Sequence, residues 1–259
     1  MIKAVFFDID GTLVSFKTHK IPHSTKNALK ELRQKGIKTF IATGRPFAAI
    51  NNLEDCEFDG YITMNGAYCM TADKMPIFKQ AISQTEIQEM LNFQKNVMDF
   101  PCMAATQDGM YMNFVNADVE KVFSLINFPN PSMKRLDELA GKDVFQMVSF
   151  INEDCEKQLM STVLTGCESA RWNPLFTDII SKGISKQVGI DKVIGHYALD
   201  LNEVMAFGDG GNDLQMLAHV PHSVAMGNAV EQVKAAAAYV TTSVDDDGIL
   251  NALKHFDVL

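Results

Sequence analysis

The residues best suited to chemistry lie near the N-terminus, where Asp8 and Asp10 follow the apolar run of residues 4–7. A continuous apolar run is typical of a strand that is buried on both faces of a parallel sheet. Ligands of such sheets bind beyond the carboxyl ends of the strands. A turn at Gly11 would let the chain leave the sheet with both carboxylates at its edge. The pattern therefore indicates a polar site, not core packing.

Polar residues also follow two later apolar runs. Thr43 comes after residues 37–42, and Asp209 comes after residues 204–207. A third carboxylate beside the first two would be costly, because like charges about 4 Å apart repel by roughly 4 kcal/mol at an effective dielectric constant of about 20. Such a cluster needs a cation, and hard oxygen ligands favour Mg²⁺.

Each of these motifs alone has a simpler interpretation. A calcium-binding loop would need a ligand at its fifth position and glycine at its sixth, whereas Gly11 is fourth and Thr12 fifth, so only a plain turn stays open there. The Thr43-Gly44-Arg45 segment is equally consistent with an ordinary strand-to-helix turn. The glycine-rich segment 208–213 fits neither common nucleotide-binding pattern, and its acidic residues favour a metal over a plain turn.

One lysine stands out because of its position next to a helix start. Lys186 follows Ser185, a candidate N-cap, so an anion there would be attracted by both the helix dipole and the ammonium group. Lys182 lies only four residues earlier and is the alternative. For any single lysine, a solvated surface charge is the simpler interpretation.

The order of predicted elements indicates a divided α/β core. Strands and helices alternate up to about residue 83, including a helix that begins at a Ser24 cap and stops at Gly36. Paired strands and helices then follow, with a hairpin at Asp108-Gly109, before the alternation returns near residue 182. We predict a Rossmann-like parallel sheet core of residues 1–83 and 182–259 with an inserted α+β cap domain of residues 84–181.

The composition narrows the partners. The formal net charge is −9 and the lysines and arginines are scattered, so nucleic acid is not expected, whereas a small anion can still bind where a few cations and backbone amides converge. The odd number of cysteines, 5, predicts reduced thiols. No apolar stretch approaches the roughly 18 residues of a membrane span, and we expect a cytoplasmic protein. The sequence makes no prediction of the oligomeric state.

Together and in this order, the motifs DIDGT (residues 8–12), Thr43, Lys186 and GDGGND (residues 208–213) resemble those of the haloacid dehalogenase superfamily. The insert between the second and third motifs is similar to the type II cap of that superfamily. Asn65-Gly66-Ala67 also looks like a segment of the Cof-type sugar-phosphate phosphatases. The resemblance implies a Mg²⁺-dependent phosphatase that hydrolyses small phosphate monoesters, sugar phosphates above all, through an aspartyl phosphate.

The resemblance also implies a role for each motif residue. Asp8 would attack phosphorus, and Asp10 would protonate the leaving oxygen and later activate water. Four residues would hold or support the phosphoryl group: Thr43, Gly44, Lys186 and Asn212. Four would serve the metal, Asp10 through its backbone carbonyl and Asp213 by orienting water: Asp8, Asp10, Asp209 and Asp213.

Two other functions are consistent with the same motifs. A phosphomutase of the superfamily would return the phosphoryl group to a sugar instead of to water. A non-enzymatic phosphate-binding protein would be signalled by loss of Asp8, Asp10 or Asp209, all of which are present. Residues of the insert would contact the leaving group, and the candidates are Asn113, Arg171 and Trp172, each of which is more simply explained as surface or core of the insert.

Overall fold

The computed structural model describes residues 1–139 and 141–259, and the side chain of Trp172 lies outside the described part. Within those residues the chain forms two β-sheets. The strands of the first, the core sheet, are β1 (Ala4–Phe7), β2 (Lys38–Ala42), β3 (Gly60–Thr63), β4 (Tyr68–Thr71), β5 (Pro76–Lys79), β12 (Val204–Gly208), β13 (His222–Ala225) and β14 (Tyr239–Val240). The strands of the second sheet are β6 (Cys102–Thr106), β7 (Met110–Met112), β8 (Ser132–Met133), β9 (Val144–Ser149), β10 (Cys167–Asn173) and β11 (Phe176–Ser181).

The helices of the described residues alternate with these strands. They are α1 (His23–Gln34), α2 (Gln84–Asn96), α3 (Ala117–Leu125), α4 (Glu153–Thr162), α5 (Lys186–His196), α6 (Leu214–His219), α7 (Glu231–Ala236) and α8 (Gly248–His255). Within the described ranges, none of these helices is both long and apolar enough to span a membrane.

The core sheet has the strand order β14-β13-β12-β1-β2-β3-β4-β5. Strand β1 lies at its centre and pairs in parallel with β12 and β2. Strands β4 and β5 add an antiparallel hairpin at one edge. Because β12, β1 and β2 are parallel neighbours, the residues that follow them emerge at one edge of the sheet.

Helices cover both faces of the core sheet. Val5 and Phe7 of β1 pack into a cluster that includes side chains of α1 and α8. Ala4 and Phe6 face the other way and pack with side chains of α5, α6 and α7. Burial on both faces explains why β1 is apolar at every position. The predicted Rossmann-like α/β core is confirmed by this sheet, whose central strands are parallel and covered by helices on both faces.

The second sheet is mostly antiparallel and has the order β10-β11-β9-β6-β7-β8. Side chains of α2 and α4 pack on one face with Ala104 and Met147, and side chains of α3 pack on the other with Met103 and Val148. All six strands fall between residues 84 and 181, the insert predicted from the sequence, whose limits stay a prediction.

One local prediction was wrong, and one hairpin was missed. Ser24 does not cap α1, because the helix begins at His23 and Pro22 takes the N-cap position. The Ser24 hydroxyl is buried and has no hydrogen-bond partner among the described residues. The hairpin of β4 and β5 was not predicted, since its two strands are only four residues long and carry no clear alternation.

Candidate active site

The first strand ends in a tight turn that directs two carboxylates to the edge of the core sheet. Asp8 is buried, and Asp10 is partly exposed. Gly11 follows with a φ of 91°, which an L side chain rarely adopts, and a Cβ atom there would meet Asp209 Cγ at 2.8 Å. The carbonyl oxygen of Gly11 accepts a hydrogen bond from Asn228 Nδ2 at 2.9 Å. The glycine therefore allows the strand tip and the Asp209 carboxylate to lie against each other.

Lys186 lies between two of the acidic residues. Its side chain is 0% exposed, and its Nζ donates to Asp8 Oδ1 and to Asp213 Oδ1, each at 2.6 Å. Burial alone would lower the pKa of Lys186, but the carboxylates of Asp213 and Asp8 outweigh it and raise the pKa above its ordinary value. Burial raises the pKa of Asp8, and the neighbouring Lys186 ammonium opposes this shift. Lys182, the alternative, is exposed.

Helix α5 places the lysine. Ser185 is its N-cap, and the serine hydroxyl accepts a hydrogen bond from the backbone N–H of Val188, as the sequence predicted. Lys186 is thus the first residue of the helix, and from there its ammonium group contacts the Asp8 carboxylate. A Cβ atom on Gly66 would overlap the backbone of Ser185, so only glycine lets these two segments approach so closely.

Asp209 and Asp213 complete the acidic cluster after β12. Asp209 accepts hydrogen bonds from Thr12 Oγ1 at 2.7 Å and from Asn228 Nδ2 at 3.1 Å. Asp213 Oδ2 accepts from the backbone N–H groups of Asp209 and Gly210. Both oxygens of Asp213 are therefore already engaged. Burial, followed by the nearby carboxylates, raises the pKa of Asp209 well above its ordinary value.

This cluster has the composition of a divalent cation site. Carboxylate oxygens of Asp8, Asp209 and Asp213 lie within 4.8 Å of one another. Three carboxylates share the single positive charge of Lys186. A divalent cation would offset the remaining negative charge, and these hard oxygen atoms are the ligands that Mg²⁺ prefers. The residues thus fit a magnesium ion. The side chain of Asp10 is directed elsewhere.

Arg45 holds Asp10 and was not identified as a site residue from the sequence. Its Nε donates to Asp10 Oδ2 at 2.6 Å, and its Nη2 donates to Asp10 Oδ1 at 2.7 Å. The same guanidinium donates to the carbonyl oxygens of Ala49 at 2.9 Å and Ile126 at 2.7 Å. Ile126 lies between strands β7 and β8 of the second sheet, so Arg45 links the two sheets while it fixes Asp10. The run Thr43-Gly44-Arg45-Pro46 contained this signal, because an arginine beside a strand end can reach the carboxylate at the next strand end.

The remaining predicted phosphate residues follow β2 and β12. The Thr43 hydroxyl accepts from the backbone N–H of Arg45 at 3.1 Å. A Cβ atom on Gly44 would lie 3.1 Å from Asn65 Oδ1, so the loop is tightly packed. Asn212 Nδ2 donates to Asn65 Oδ1 at 2.9 Å, and no hydrogen bond among the described residues joins Asn212 to Lys186.

A cavity of about 450 Å³ joins these residues to the second sheet. Its lining includes most of the predicted site residues, namely Asp8, Asp10, Thr43, Gly44, Asp209 and Asn212. The second sheet adds apolar side chains, among them Met103 and Val148, and two buried polar ones, Gln146 and Asp178. Lys186 lies beneath the cavity lining, where it contacts Asp8.

The candidates for leaving-group contacts have different environments. Asn113 binds backbone groups of Cys102 and Phe100, which gives it a role within the second sheet. Arg171 lines the cavity, but its guanidinium is held by Glu156 and by the carbonyl oxygen of Ile151. The Trp172 side chain lies outside the described residues. Gln146 and Asp178 were not predicted, because nothing in their local sequence distinguishes them from strand residues.

The sequence relationships agree with this geometry. The family model of the haloacid dehalogenase-like hydrolases matches residues 5–253. The chain belongs to this family. The resemblance of its motifs to the Cof-type phosphatases of the haloacid dehalogenase superfamily is thereby confirmed, and the protein is a phosphatase.

Several similar solved structures and curated relatives of this haloacid dehalogenase-like hydrolase are named as phosphatases. A subclass IIB sugar phosphatase of the superfamily is 46% identical, covers 99% of this chain and 100% of its own, and superposes with a TM-score of 0.93. A phosphatase of the superfamily from Bacteroides thetaiotaomicron is 36% identical over 100% of this chain and 96% of its own, with a TM-score of 0.91. The HMP-PP phosphatase of Yersinia pseudotuberculosis (serotype O:1b, strain IP 31758) is 30% identical over 90% of this chain and 87% of its own.

Proposed function

We propose that this phosphatase hydrolyses small phosphate monoesters, in particular sugar phosphates, in the cytoplasm through an aspartyl phosphate on Asp8. The observation that carries the proposal is the pair of carboxylates at the tip of β1, both of which line one cavity. Asp8 is held by Lys186, and Asp10 is held by Arg45. One carboxylate serves as nucleophile and the other as acid and base, a division of work that their different partners support.

In the first step an Asp8 carboxylate oxygen attacks phosphorus and the ester oxygen leaves with a proton from Asp10. In the second step Asp10 takes a proton from water, and the water oxygen attacks the same phosphorus and releases phosphate from Asp8. The bidentate contact with Arg45 holds both oxygens of Asp10 in one orientation. For the first step Asp10 must carry a proton, so its pairing with Arg45 has to loosen during the cycle.

We assign the phosphoryl oxygens to the residues around Asp8. The Lys186 ammonium has three N–H groups, of which Asp8 and Asp213 take two. The third is proposed to bind a phosphoryl oxygen, together with the Thr43 hydroxyl and the backbone of Gly44. Asn212 supports this arrangement by its hydrogen bond to Asn65.

We propose that Mg²⁺ is held by Asp8 and Asp209 with the backbone carbonyl of Asp10. Asp213 supports the site from behind, since its oxygens are engaged by Lys186 and by backbone N–H groups. When bound, the ion would neutralise charge on the phosphoryl oxygens. The chain's own contribution is to hold these carboxylates within reach of one another.

The substrate class rests on a similar enzyme and on the second sheet. A solved relative that is 46% identical is a sugar phosphatase. We propose that residues 84–181 form a cap domain whose side chains contact the leaving group, because several of them line the cavity. The net charge of −9 favours a small phosphorylated metabolite over a nucleic acid.

The proposal predicts that Asp8→Asn abolishes phosphate release while the fold is retained. Asparagine cannot form the acyl phosphate, so we expect kcat to fall by at least about a thousandfold, in the range seen when a covalent nucleophile is removed. Release of inorganic phosphate from a hexose phosphate and from p-nitrophenyl phosphate measures this, with circular dichroism as the test of folding.

A matched control is Asp143→Asn, an exposed residue whose carboxylate pairs with Lys79 on the surface. It should keep normal turnover. Normal turnover by Asp8→Asn would overturn the mechanism. An isomerised sugar phosphate in place of released phosphate would instead identify a phosphomutase, which forms the same acyl phosphate.

A further inference from the structure

Two polar side chains of the second sheet line the cavity that holds Asp8 and Asp10. Gln146 lies on β9 and Asp178 on β11, and these strands are paired neighbours. The two residues are 1% and 3% exposed. Apolar side chains of Met103 and Val148 line the same wall. A carboxyl group in such a wall is unfavourable for folding, so packing does not explain its presence.

The hydrogen bonds of Asp178 leave it able to bind more. Its Oδ1 accepts from Gln146 Nε2 at 3.2 Å, and its Oδ2 accepts from Asn65 Nδ2 at 3.0 Å. Both donors are neutral amides, and among the described residues no lysine or arginine forms an ion pair with Asp178. A carboxylate has about four acceptor positions, and these two bonds use two of them. Burial raises the pKa of Asp178 to about 7.

We propose that Asp178 and Gln146 form a subsite that binds hydroxyl groups of the leaving alcohol. A hydroxyl group donates to a carboxylate oxygen and accepts from an amide, and the subsite offers both within an apolar wall that suits the C–H faces of a sugar or polyol. The inference rests on the proposed function. It adds that this enzyme selects phosphate esters of polyhydroxylated alcohols through two named residues.

The same contacts have a second explanation. Asn65 belongs to the core and donates to both Asp178 and Gln146, the latter at 3.3 Å. The network could therefore serve only to join the two sheets. A joining role would affect all substrates alike, whereas a hydroxyl subsite would affect only those substrates that carry hydroxyl groups.

The test compares glucose 6-phosphate with p-nitrophenyl phosphate, whose leaving group carries no further hydroxyl. We expect Asp178→Asn to lower the ratio of kcat/KM for glucose 6-phosphate to that for p-nitrophenyl phosphate by at least about tenfold, as when a buried polar contact to substrate is lost. Using a ratio cancels any general loss from weaker joining of the sheets.

Gln146→Met is the second variant, since it removes the amide at similar volume and keeps the test valid if Asp178→Asn folds poorly. It should lower the same ratio by several fold. Asp143→Asn, which makes the same chemical change at an exposed position, should leave the ratio as it is. A ratio that neither Asp178→Asn nor Gln146→Met changes would overturn the subsite, while hydrolysis of neither ester by the unmodified enzyme would overturn the proposed function itself.

Discussion

At the scale of single residues, Arg45 is an important side chain of the site, because it binds both oxygens of Asp10. It is 4% exposed, and each of its three guanidinium nitrogens donates at least one hydrogen bond. Only an arginine can bind both oxygens of Asp10 side by side and still reach two carbonyl groups. Arg45 acts through Asp10 and is therefore a positioning residue. Because one of its partners is the carbonyl oxygen of Ile126, which lies between two strands of the second sheet, Arg45 connects Asp10 to that sheet.

Arg45→Lys should lower kcat more than it raises KM. Lysine keeps the positive charge but loses the planar pair of donors, so Asp10 is no longer held in one orientation. We expect kcat to fall by about tenfold to hundredfold, the value of a charge-assisted hydrogen bond. Steady-state kinetics on p-nitrophenyl phosphate measure the effect.

Arg33→Lys is the matched control, since Arg33 pairs with Glu57 on the surface and both side chains are well exposed. It should behave as the unmodified enzyme does. If Arg45→Lys also kept full kcat, Arg45 would have no positioning role.

At the scale of elements, the site depends on short segments that follow parallel strands. The turn after β1 is tight because Gly11 adopts a positive φ and leaves room for Asp209. The loop after β12 bends into a 3₁₀ turn, Gly211–Asp213, before α6 begins at Leu214. In this turn Asp213 directs its carboxylate back to the backbone N–H of Asp209. The strands thus bring the loops together, and the glycines let the loops pack.

Gly11→Ala should remove activity and metal binding, whereas Gly36→Ala should remove neither. Both glycines have a positive φ, of 91° and 73°, so alanine costs about 1 kcal/mol of backbone strain at either position. Only at Gly11 would the new Cβ meet Asp209, because at Gly36 no described residue other than its own chain neighbours lies within 4 Å of the Cβ position.

The readouts are kcat/KM and the rise in melting temperature when Mg²⁺ is added. Unmodified enzyme and Gly36→Ala should both be stabilised by Mg²⁺, since a ligand that binds the native state stabilises it. If Gly11→Ala showed the same Mg²⁺-dependent rise, the metal would not be bound beside Asp209.

At the scale of the whole molecule, two sheets share one polar network. Asn65 follows β3 of the core sheet, and its side chain bonds to Asn212 of the core and to Gln146 and Asp178 of the second sheet. Apolar contacts between the sheets, such as those of Tyr68 with Phe145, surround this network. The Asp178 carboxyl is part of this network, so a change in its protonation is expected to affect the contact between the two sheets.

The stability of the unmodified protein relative to Asp178→Asn should fall as pH rises from about 4 to about 7. Burial raises the pKa of Asp178 from 3.8 to about 7, so in this range the unfolded chain has lost the proton while the folded protein still binds it. Since the folded state then binds more protons, its stability decreases with pH. Asparagine does not titrate. Across this pH range the melting temperature of Asp178→Asn should therefore rise by several degrees relative to that of the unmodified protein, at about 2–4 °C per kcal/mol.

Melting curves of both proteins across this pH range measure the difference between their melting temperatures. The other titrating groups are the same in both proteins, so their contributions cancel in this difference. Asp143→Asn, at an exposed position, serves as the control for the loss of a carboxylate. A difference between Asp178→Asn and the unmodified protein that stayed constant with pH would contradict the raised pKa of the buried Asp178 carboxyl.

The sequence by itself determined the family, the fold class and the segments of the candidate site. Apolar runs such as residues 4–7 and 204–207 are local signals of buried strands, and the polar residues after them must meet when the strands run parallel. The N-cap at Ser185 is equally local, because it depends on the contact of one side chain with a backbone group three residues later.

Only the tertiary structure decided which side chains touch across long separations. The bidentate pairing of Arg45 with Asp10 joins two strand ends, and the pairing of Asn65 with Asp178 joins two sheets. Ser24, which has the right residue type for a helix cap, lost that role because Pro22 precedes it at the start of α1. Such contacts depend on strand register and on the placement of the insert, which no local pattern encodes. This is why a role for Asp8 could be predicted from the sequence, whereas the pairing of Gln146 with Asp178 could not.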